Sequence, residues 1–318
     1  MSTVNNEGRT NELLSAYLSE IIENDPIDNH FPAIPVLDAL MKKSRKYDPC
    51  KQYQLPINKG SSPNTMRFSG FDTFALATPD TGLTVFYPNV NFGDNIPISW
   101  EEKHESGPES VKVFDIVKHR TNNARRSVMD LVATDIFGAT ADPKGFTPLP
   151  VTVDSTGSTG GISQSTVSDW ASIEVGSGSF ASQGVDDMNS LWDQIREFKG
   201  MPDMIFTHRT PYSYYKKDLN VDVRYANPGS SGEVSRGFPE VGFMGIPVFF
   251  DRKCSSSELY MLDSNDLFLA VDKDANFTTT DFVPIPNQPG SSVAYLLFRA
   301  ALICTKRRTQ GKMTGITA

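Results

Sequence analysis

The sequence predicts an α+β fold, and three observations carry that expectation. A single apolar stripe recurs at helical spacing from Glu109 to Phe137. The stretch 51–98 instead holds short extended runs broken by Gly, Pro, Asn and Asp. From Asp186 onward, helical and strand patterns alternate in a compact α/β succession. A chain of 318 residues can bury a large core, as one domain or two. Its 23 glycines and 21 prolines favour many turns over a helical bundle.

Residues 1–50 read as an N-terminal arm. A polar start gives way to an amphipathic helix over Asn11–Asn24, with Leu13, Leu14, Tyr17, Leu18, Ile21 and Ile22 at three- and four-residue spacing. Asn11 is its N-cap and Asp25-Pro26 its stop. A second piece, Pro35–Ser44, carries Val36, Leu37, Leu40 and Met41 on one side, and Lys42, Lys43, Arg45 and Lys46 follow or close it. Helices this short are marginal alone, so the expectation is an arm lying against something larger.

Residues 51–98 read as an extended β-hairpin loop. Its expected strands are Thr65–Ser69 and Leu83–Tyr87, with turn signals at Lys59–Asn64 and Thr78–Gly82. A free hairpin is marginal in water, so this one would gain stability by lying on another subunit.

Residues 99–184 hold the long helix, 109–137, and a Gly/Ser/Thr-rich connection. Ser106-Gly107-Pro108-Glu109 forms a capping-box start. Val111, Phe114, Val117, Thr121, Ala124, Val128, Leu131 and Val132 give the stripe, and Gly138 the break. A helix of that length spans about 43 Å at about 1.5 Å per residue, which suits a strut. The connection reads as an irregular surface loop. Gly157–Gly161 is its densest part, and no Gly-Lys-Ser/Thr follows to make a phosphate cradle.

Residues 185–290 read as an α/β domain. It starts with a helix over Asp186–Lys199, whose Asp186 and Asp187 suit a helix N-terminus. A strand at Asp203–Thr207, a helix at Pro211–Asp218 and a polar loop over Asn220–Pro239 follow. Strands are then expected at Pro247–Asp251, Leu259–Leu262 and Leu267–Val271. Residues 291–318 supply a return strand, Val293–Lys306, and a basic tail.

Searching for chemistry turns up no catalytic, metal or cofactor constellation. His30, His104, His119 and His208 are far apart, and no HExxH, CxxC or GxSxG occurs. Asp272-Lys273-Asp274-Ala275-Asn276 begins like a calcium loop, but Phe277 and Val283 stand where Gly and Glu are needed, so it reads as a turn. Cys50, Cys254 and Cys304 are too few and too scattered for a disulfide framework and read as reduced thiols. The first ten residues carry no signal-peptide core, and no apolar run approaches the ~20 residues of a membrane span. A net charge of −8 argues against a dedicated nucleic-acid binder, though local basic patches remain. Two such patches stand out: Arg120, Arg125 and Arg126, and Lys306, Arg307 and Arg308 with Lys312. They read either as contacts to neighbouring subunits or DNA, or as ordinary solvated faces.

Several stretches, taken in order, resemble the major capsid proteins of tailed double-stranded DNA bacteriophages. They are Leu37-Asp38-Ala39-Leu40, Ser69-Gly70-Phe71-Asp72-Thr73, Ile98-Ser99-Trp100-Glu101-Glu102 leading into Ser106-Gly107, Leu131–Gly138 and Gly160-Gly161-Ile162. Phe249–Cys254, Leu259–Leu262, Lys273–Phe277, Cys304–Gly311 and Thr314-Gly315-Ile316 complete the set. The resemblance implies the tailed-phage major capsid fold. It would have an N-terminal arm, an extended loop, a spine helix in a peripheral domain, and an α/β axial domain over 185–290. Hexamers and pentamers would build an icosahedral head shell around double-stranded DNA, made in the bacterial host cytoplasm and ending in the virion. A portal protein and a separate scaffolding protein would be partners. Lys59, Phe68 and Phe71 in the extended loop, with the two basic patches, are the residues expected to meet neighbours or DNA. Some relatives crosslink a loop lysine to an asparagine of another subunit; Lys59 lies in that loop, but no matching catalytic acid accompanies it. Two other readings stay open: a nanocompartment shell of the same architecture enclosing enzymes, and a β-rich hydrolase with aromatic residues of the Gly/Ser-rich middle lining a cleft.

Overall fold

The computed structural model describes residues 34–60, 62, 64–74, 82–105, 110–139, 142–165, 167–226, 242–288 and 290–318. The expected helix Asn11–Asn24, the capping box at Ser106 and the loop around Asn227–Gly232 lie outside them. In chain order the elements are α1 (Pro35–Lys42), β1 (Arg45–Tyr47), β2 (Gln52–Asn58), β3 (Gly82–Pro88), β4 (Val90–Ile98), α2 (Trp100–Glu105) and α3 (Ser110–Ile136). Then come α4 (Leu149–Thr152), β5 (Ser158–Thr159), β6 (Ile162–Ser163), β7 (Ile173–Gly176), α5 (Phe180–Glu197), β8 (Met204–Thr207) and α6 (Arg209–Ala226). The remainder is β9 (Gly242–Phe243), β10 (Ile246–Phe250), β11 (Leu259–Leu262), β12 (Leu267–Asp272), β13 (Thr278–Thr279), β14 (Val283–Pro284), β15 (Ser292–Cys304) and β16 (Gly311–Thr314). The chain divides into two compact units, whose described parts are Gly93–Val128 with Phe277–Leu297, and Ile34–Phe92 with Met129–Asn276 and Phe298–Ala318. The divisions fall within α3 and β15.

The larger unit is built on a mixed sheet of order β7-β16-β11-β8-β10-β9. Strand β8 pairs parallel with β10 and antiparallel with β11; β16 pairs antiparallel with β11 and parallel with β7. All four residues of β8 and of β11 are buried, so both read as continuous apolar runs rather than alternating ones. Helix α5 lays Met188, Leu191 and Ile195, spaced by three and four, against Ile205, Met261 and Met313. Gly311 keeps that approach close, because a Cβ there would sit 2.6 Å from the Leu191 side chain. The tight β9–β10 turn uses Met244 (φ 49°) and Gly245 (φ 83°), two successive positive φ angles that suit a two-residue hairpin.

The same unit holds a second sheet, in which β12 pairs antiparallel with the C-terminal half of β15 and parallel with β1. Every residue of β12 is buried. The hairpin β2–β3 is antiparallel, with Tyr53 opposite Tyr87 and Leu55 opposite Val85. Its buried side carries Tyr53, Val85 and Tyr87, and Tyr87 Oη donates to the Cys304 carbonyl at 2.6 Å. A strand expected at Thr65–Ser69 is absent; the partner of β3 is β2. The strict polar–apolar alternation of Gln52-Tyr53-Gln54-Leu55-Pro56-Ile57 wins because it offers a buried face, whereas Met66 and Phe68 are exposed.

The smaller unit packs the first part of α3, with α2, beside a short antiparallel sheet. There β13 and β14 pair with the N-terminal half of β15. Ser99-Trp100-Glu101-Glu102 forms a reciprocal capping box for α2: the Glu102 amide donates to Ser99 Oγ (3.2 Å) and the Ser99 amide to Glu102 Oε2 (3.0 Å).

Other boundaries move for identifiable reasons. Of the expected stripe on α3, Ala124, Val128 and Val132 are buried, together with Ala133 and Ile136, but Leu131 is exposed. At about 100° per residue the buried arc centres on Val132, and Leu131 falls beyond its edge. Helix α5 starts at Phe180, so Asp186 and Asp187 lie in its second and third turns rather than at its N-terminus. Gly184 had masked that first turn as loop, yet it is needed there: a Cβ would meet the buried Phe180 ring at 2.5 Å. Helix α6 runs on to Ala226, past the expected stop at Asp218. The Gly/Ser/Thr-rich connection is no plain surface loop. It carries α4, the β5–β6 ribbon and β7, and buries Phe146, Leu149, Val153, Ile162 and Trp170. The long C-terminal strand ends at Cys304, two residues early, in a 3₁₀ turn over Arg307–Thr309.

Candidate assembly surface

The end of the β2–β3 hairpin is the most exposed apolar feature of the described residues. Phe71 is fully exposed, Phe68 is 65% exposed and Phe74 52%. The Phe68 and Phe74 rings lie 5.3 Å apart. A tight turn presents Phe71: the Asp72 amide donates to the Ser69 carbonyl (3.3 Å), and the Ser69 amide to Asp72 Oδ2 (2.8 Å). Gly70, at φ 58°, supplies the left-handed residue the turn requires. An aromatic cluster this exposed marks a contact site more often than a solvated surface. Lys59 follows directly after β2 and is half-buried.

The hairpin base is fixed by a close backbone approach. Gly160 (φ 63°) accepts from the Phe86 amide at 3.0 Å, and a Cβ on it would lie 2.0 Å from Val85 Cγ1. Gly160 therefore lets the β5–β6 ribbon touch β3.

The basic residues of α3 are engaged within the chain. Arg120 pairs with Glu102 and donates to the Pro97 carbonyl. Burial pushes the Glu102 carboxyl up, but the hydrogen bonds and charge of Arg120, with the bonds from Ser99, outweigh it and hold the group below its ordinary range. Arg125 is exposed and lies over the Phe277 ring at 4.8 Å. Arg126 is exposed.

The C-terminal basic cluster splits. Arg307, expected to meet a neighbour or DNA, is 1% exposed and turned inward. Its guanidinium donates to the carbonyls of Thr152 (2.8 Å) and Asp154 (3.0 Å) and lies over the Trp170 ring at 5.8 Å. The 3₁₀ turn rotates it away from its neighbours, and α4 and the following loop offer carbonyls that need a donor. Lys312 is buried too, 3.2 Å from Asp154 and 3.7 Å from Glu174. Lys306 stays exposed beside Asp266 at 3.4 Å. Arg308 is half-buried, pairs with Asp169 and lies over Phe198 at 4.5 Å.

Sequence reasoning missed Met66 and Phe74 at the hairpin end, and in the smaller unit the exposed Trp100, Phe282, Val283, Tyr295 and Leu297. Tyr295 and Leu297 alternate with buried Ala294, Leu296 and Phe298, so the period of two along β15 would have revealed them. Among the described residues no cluster of three His, Cys, Asp or Glu side chains is arranged to hold a metal ion, and no helix is long and apolar enough to cross a membrane. Burial raises the Cys254 thiol, and pushes that of Cys304 up to about 12.

No family model matches the sequence, and no curated protein is similar to it. The fold itself is well represented among solved structures. The chain is similar to the capsid asymmetric unit of cyanophage A-1(L), with a TM-score of 0.72 at 16% identity over 96% of this chain and 99% of that one. It is similar to the capsid of an empty GTA particle with C5 symmetry, with a TM-score of 0.61 at 13% identity over 100% and 99%. The capsid of Myoviridae phage XM1 gives a TM-score of 0.56 at 12% identity over 93% and 96%. The chain thus has the tailed-phage major capsid fold along nearly its whole length.

Proposed function

We propose that this chain is a structural shell protein: a major capsid protein that self-assembles into hexamers and pentamers of an icosahedral phage head around double-stranded DNA. One observation carries the reading. Chains matched over 93–100% of this sequence, and over 96–99% of their own length, are subunits of capsids. The exposed aromatic hairpin end supports it, because a contact made by one surface of a subunit to a different surface of the next repeats until the assembly closes. On this reading residues 51–98 reach a neighbouring subunit, α3 is the spine of a peripheral domain, and 185–290 form the axial domain. Lys59, Phe68 and Phe71 face a neighbour; Arg125, Arg126 and Lys306 are exposed basic groups that would meet a subunit or DNA. A portal protein and a scaffolding protein are the partners such a shell requires.

The test is light scattering with negative-stain imaging on the expressed chain, alone and co-expressed with its neighbouring virion genes. Capsomer-sized oligomers or closed shells are expected, and particles purified from infected cells should hold nucleic acid. A monomer under every condition would overturn the shell reading; particles filled with protein would move it to a nanocompartment.

A further inference from the structure

Among the described residues six buried side-chain polar atoms lack a hydrogen-bond partner, and such atoms are rare enough to need a reason. Three of them, Tyr53 Oη, Asn89 Oδ1 and Arg299 Nε, belong to residues gathered at Cys50. Cys50 stands at the root of the hairpin, just before β2, and Asn89 just after β3. The Cys50 carbonyl accepts from Asn89 Nδ2 and from Arg299 Nη2, each at 2.7 Å. Asn89 Nδ2 also lies 3.5 Å from Cys50 Sγ. Tyr53, 8% exposed, brings its hydroxyl against the Asn89 and Cys50 side chains. Burial pushes that hydroxyl up to about 12, so it keeps its proton at neutral pH. Arg299 is charged and lies 3.6 Å from Asp272.

Two open donors and one open acceptor around a sulfur are the complement of one small group. A sulfenic acid, S–O–H, has an oxygen that accepts hydrogen bonds and a proton that it donates. The Tyr53 hydroxyl and the Arg299 Nε–H would serve the oxygen, and Asn89 Oδ1 would take the proton. A thiol lacks that oxygen, which leaves the three atoms unpaired in the reduced chain. Cys50 is also the thiol that a small oxidant can reach. It is half-buried, whereas Cys254 is 4% exposed and Cys304 is fully buried. We propose that Cys50 is a peroxide-reactive modification site whose sulfenic acid is held by Tyr53, Asn89 and Arg299. The Cys50 sulfur attacks one oxygen of hydrogen peroxide. The S–O bond forms, the O–O bond breaks, and the leaving hydroxide takes up the thiol's proton as water. The sulfur gives up two electrons and the peroxide gains them. The Arg299 cation favours the thiolate that attacks, and the three hydrogen bonds hold the product against a second oxidation to sulfinic acid. The chemistry belongs to a single subunit and requires no shell.

The test treats the full chain with hydrogen peroxide, with and without dimedone, a trap for sulfenic acids, and scores each cysteine by peptide mass. Dimedone is expected on Cys50 and not on Cys254 or Cys304, and Cys50→Ser should abolish the labelling. Without the trap, the Cys50 sulfenic acid should outlast that of the same residue in the urea-unfolded chain by about tenfold or more. Tyr53→Phe removes only the unpaired hydroxyl, so it should fold as the wild type does, which near-ultraviolet dichroism verifies. It should also speed the passage to sulfinic acid by about fivefold, the loss of about one hydrogen bond. A native chain whose Cys50 resists peroxide would overturn the proposal. So would equal lifetimes in the native and unfolded chains, a comparison that needs no variant. A folded Tyr53→Phe chain that over-oxidises at the wild-type rate would overturn it too, the result expected if the three atoms hold only a water.

Discussion

Arg307 and Lys306 are adjacent and identical in charge, yet the fold uses them in opposite ways. The guanidinium of Arg307 is a buried planar donor that satisfies the Thr152 and Asp154 carbonyls at once. Lys306 holds one long surface ion pair. Removing a buried charged donor leaves its acceptors unsatisfied, at about 1–3 kcal/mol for each group, whereas an exposed pair contributes about 0–1 kcal/mol. Arg307→Met should therefore lower unfolding stability by about 3 kcal/mol, and Lys306→Met by less than about 0.5 kcal/mol, read from urea midpoints at constant slope. Equal losses would mean that Arg307 is not structural. Nothing in the run Lys306-Arg307-Arg308 distinguishes the three, because their partners are distant in the chain: the Thr152 and Asp154 carbonyls for Arg307, Asp266 for Lys306 and Asp169 for Arg308. The same local silence hid Lys312.

Glu102 gives a pH prediction at the same scale. Its carboxyl is held below the ordinary range by Arg120 and Ser99 against the upward push of burial. A carboxyl depressed on folding adds stability that is complete above the unfolded value, about 4.3, and is lost as pH falls through the lower folded value. Asp154, depressed by Thr156 and Lys312 against burial, acts in the same direction. On going from pH 6 to about pH 3, the wild-type chain should lose more stability than Glu102→Gln does. A loss of the same size in both would separate Glu102 from the acid response.

At the level of elements, the period of the apolar pattern decided what could be foreseen. Strand β11 and helix α1 stand where expected because each is a short apolar run or stripe with clear ends. The pairing of β2 with β3 was not legible from β3 alone, since alternation fixes which side of a strand is buried but not which partner it takes. Helix α5 was read late because Gly184 is a poor helix former whose value lies in the Phe180 ring beside it. Gly160 is the corresponding device at the hairpin base. Gly160→Ala would meet both a left-handed backbone and Val85, so it should cost about 1 kcal/mol or more and raise proteolysis within 59–81 before global unfolding. If the substitution leaves both unchanged, the ribbon does not anchor the hairpin.

For the whole molecule, the useful distinction is between groups that hold the chain together and groups that the folded chain leaves unspent. Phe68 and Phe71 bury little within the described structure, so replacing both with Ser should leave the melting temperature nearly unchanged. If they dock on a neighbour, each withdraws about 1.5–3 kcal/mol of apolar burial from every contact. At 1.4 kcal/mol per tenfold change in an equilibrium constant, the concentration needed for assembly should rise by about two to four orders of magnitude. On the proposed shell reading the contact repeats, so partial occupancy cannot hide the loss, and sedimentation should find subunits or capsomers under conditions where the wild-type chain is expected to form shells. The salt response separates this contact from the basic ones. An aromatic contact strengthens or holds as salt rises, whereas pairing through Arg125, Arg126 or Lys306 weakens as the screening length falls below about 10 Å. Assembly of the wild-type chain that survives high salt, and of the serine variant that fails at every salt, would assign the shell contact to the hairpin end. A serine variant that assembles at the wild-type concentration would return Phe71 to the status of an exposed residue without a partner.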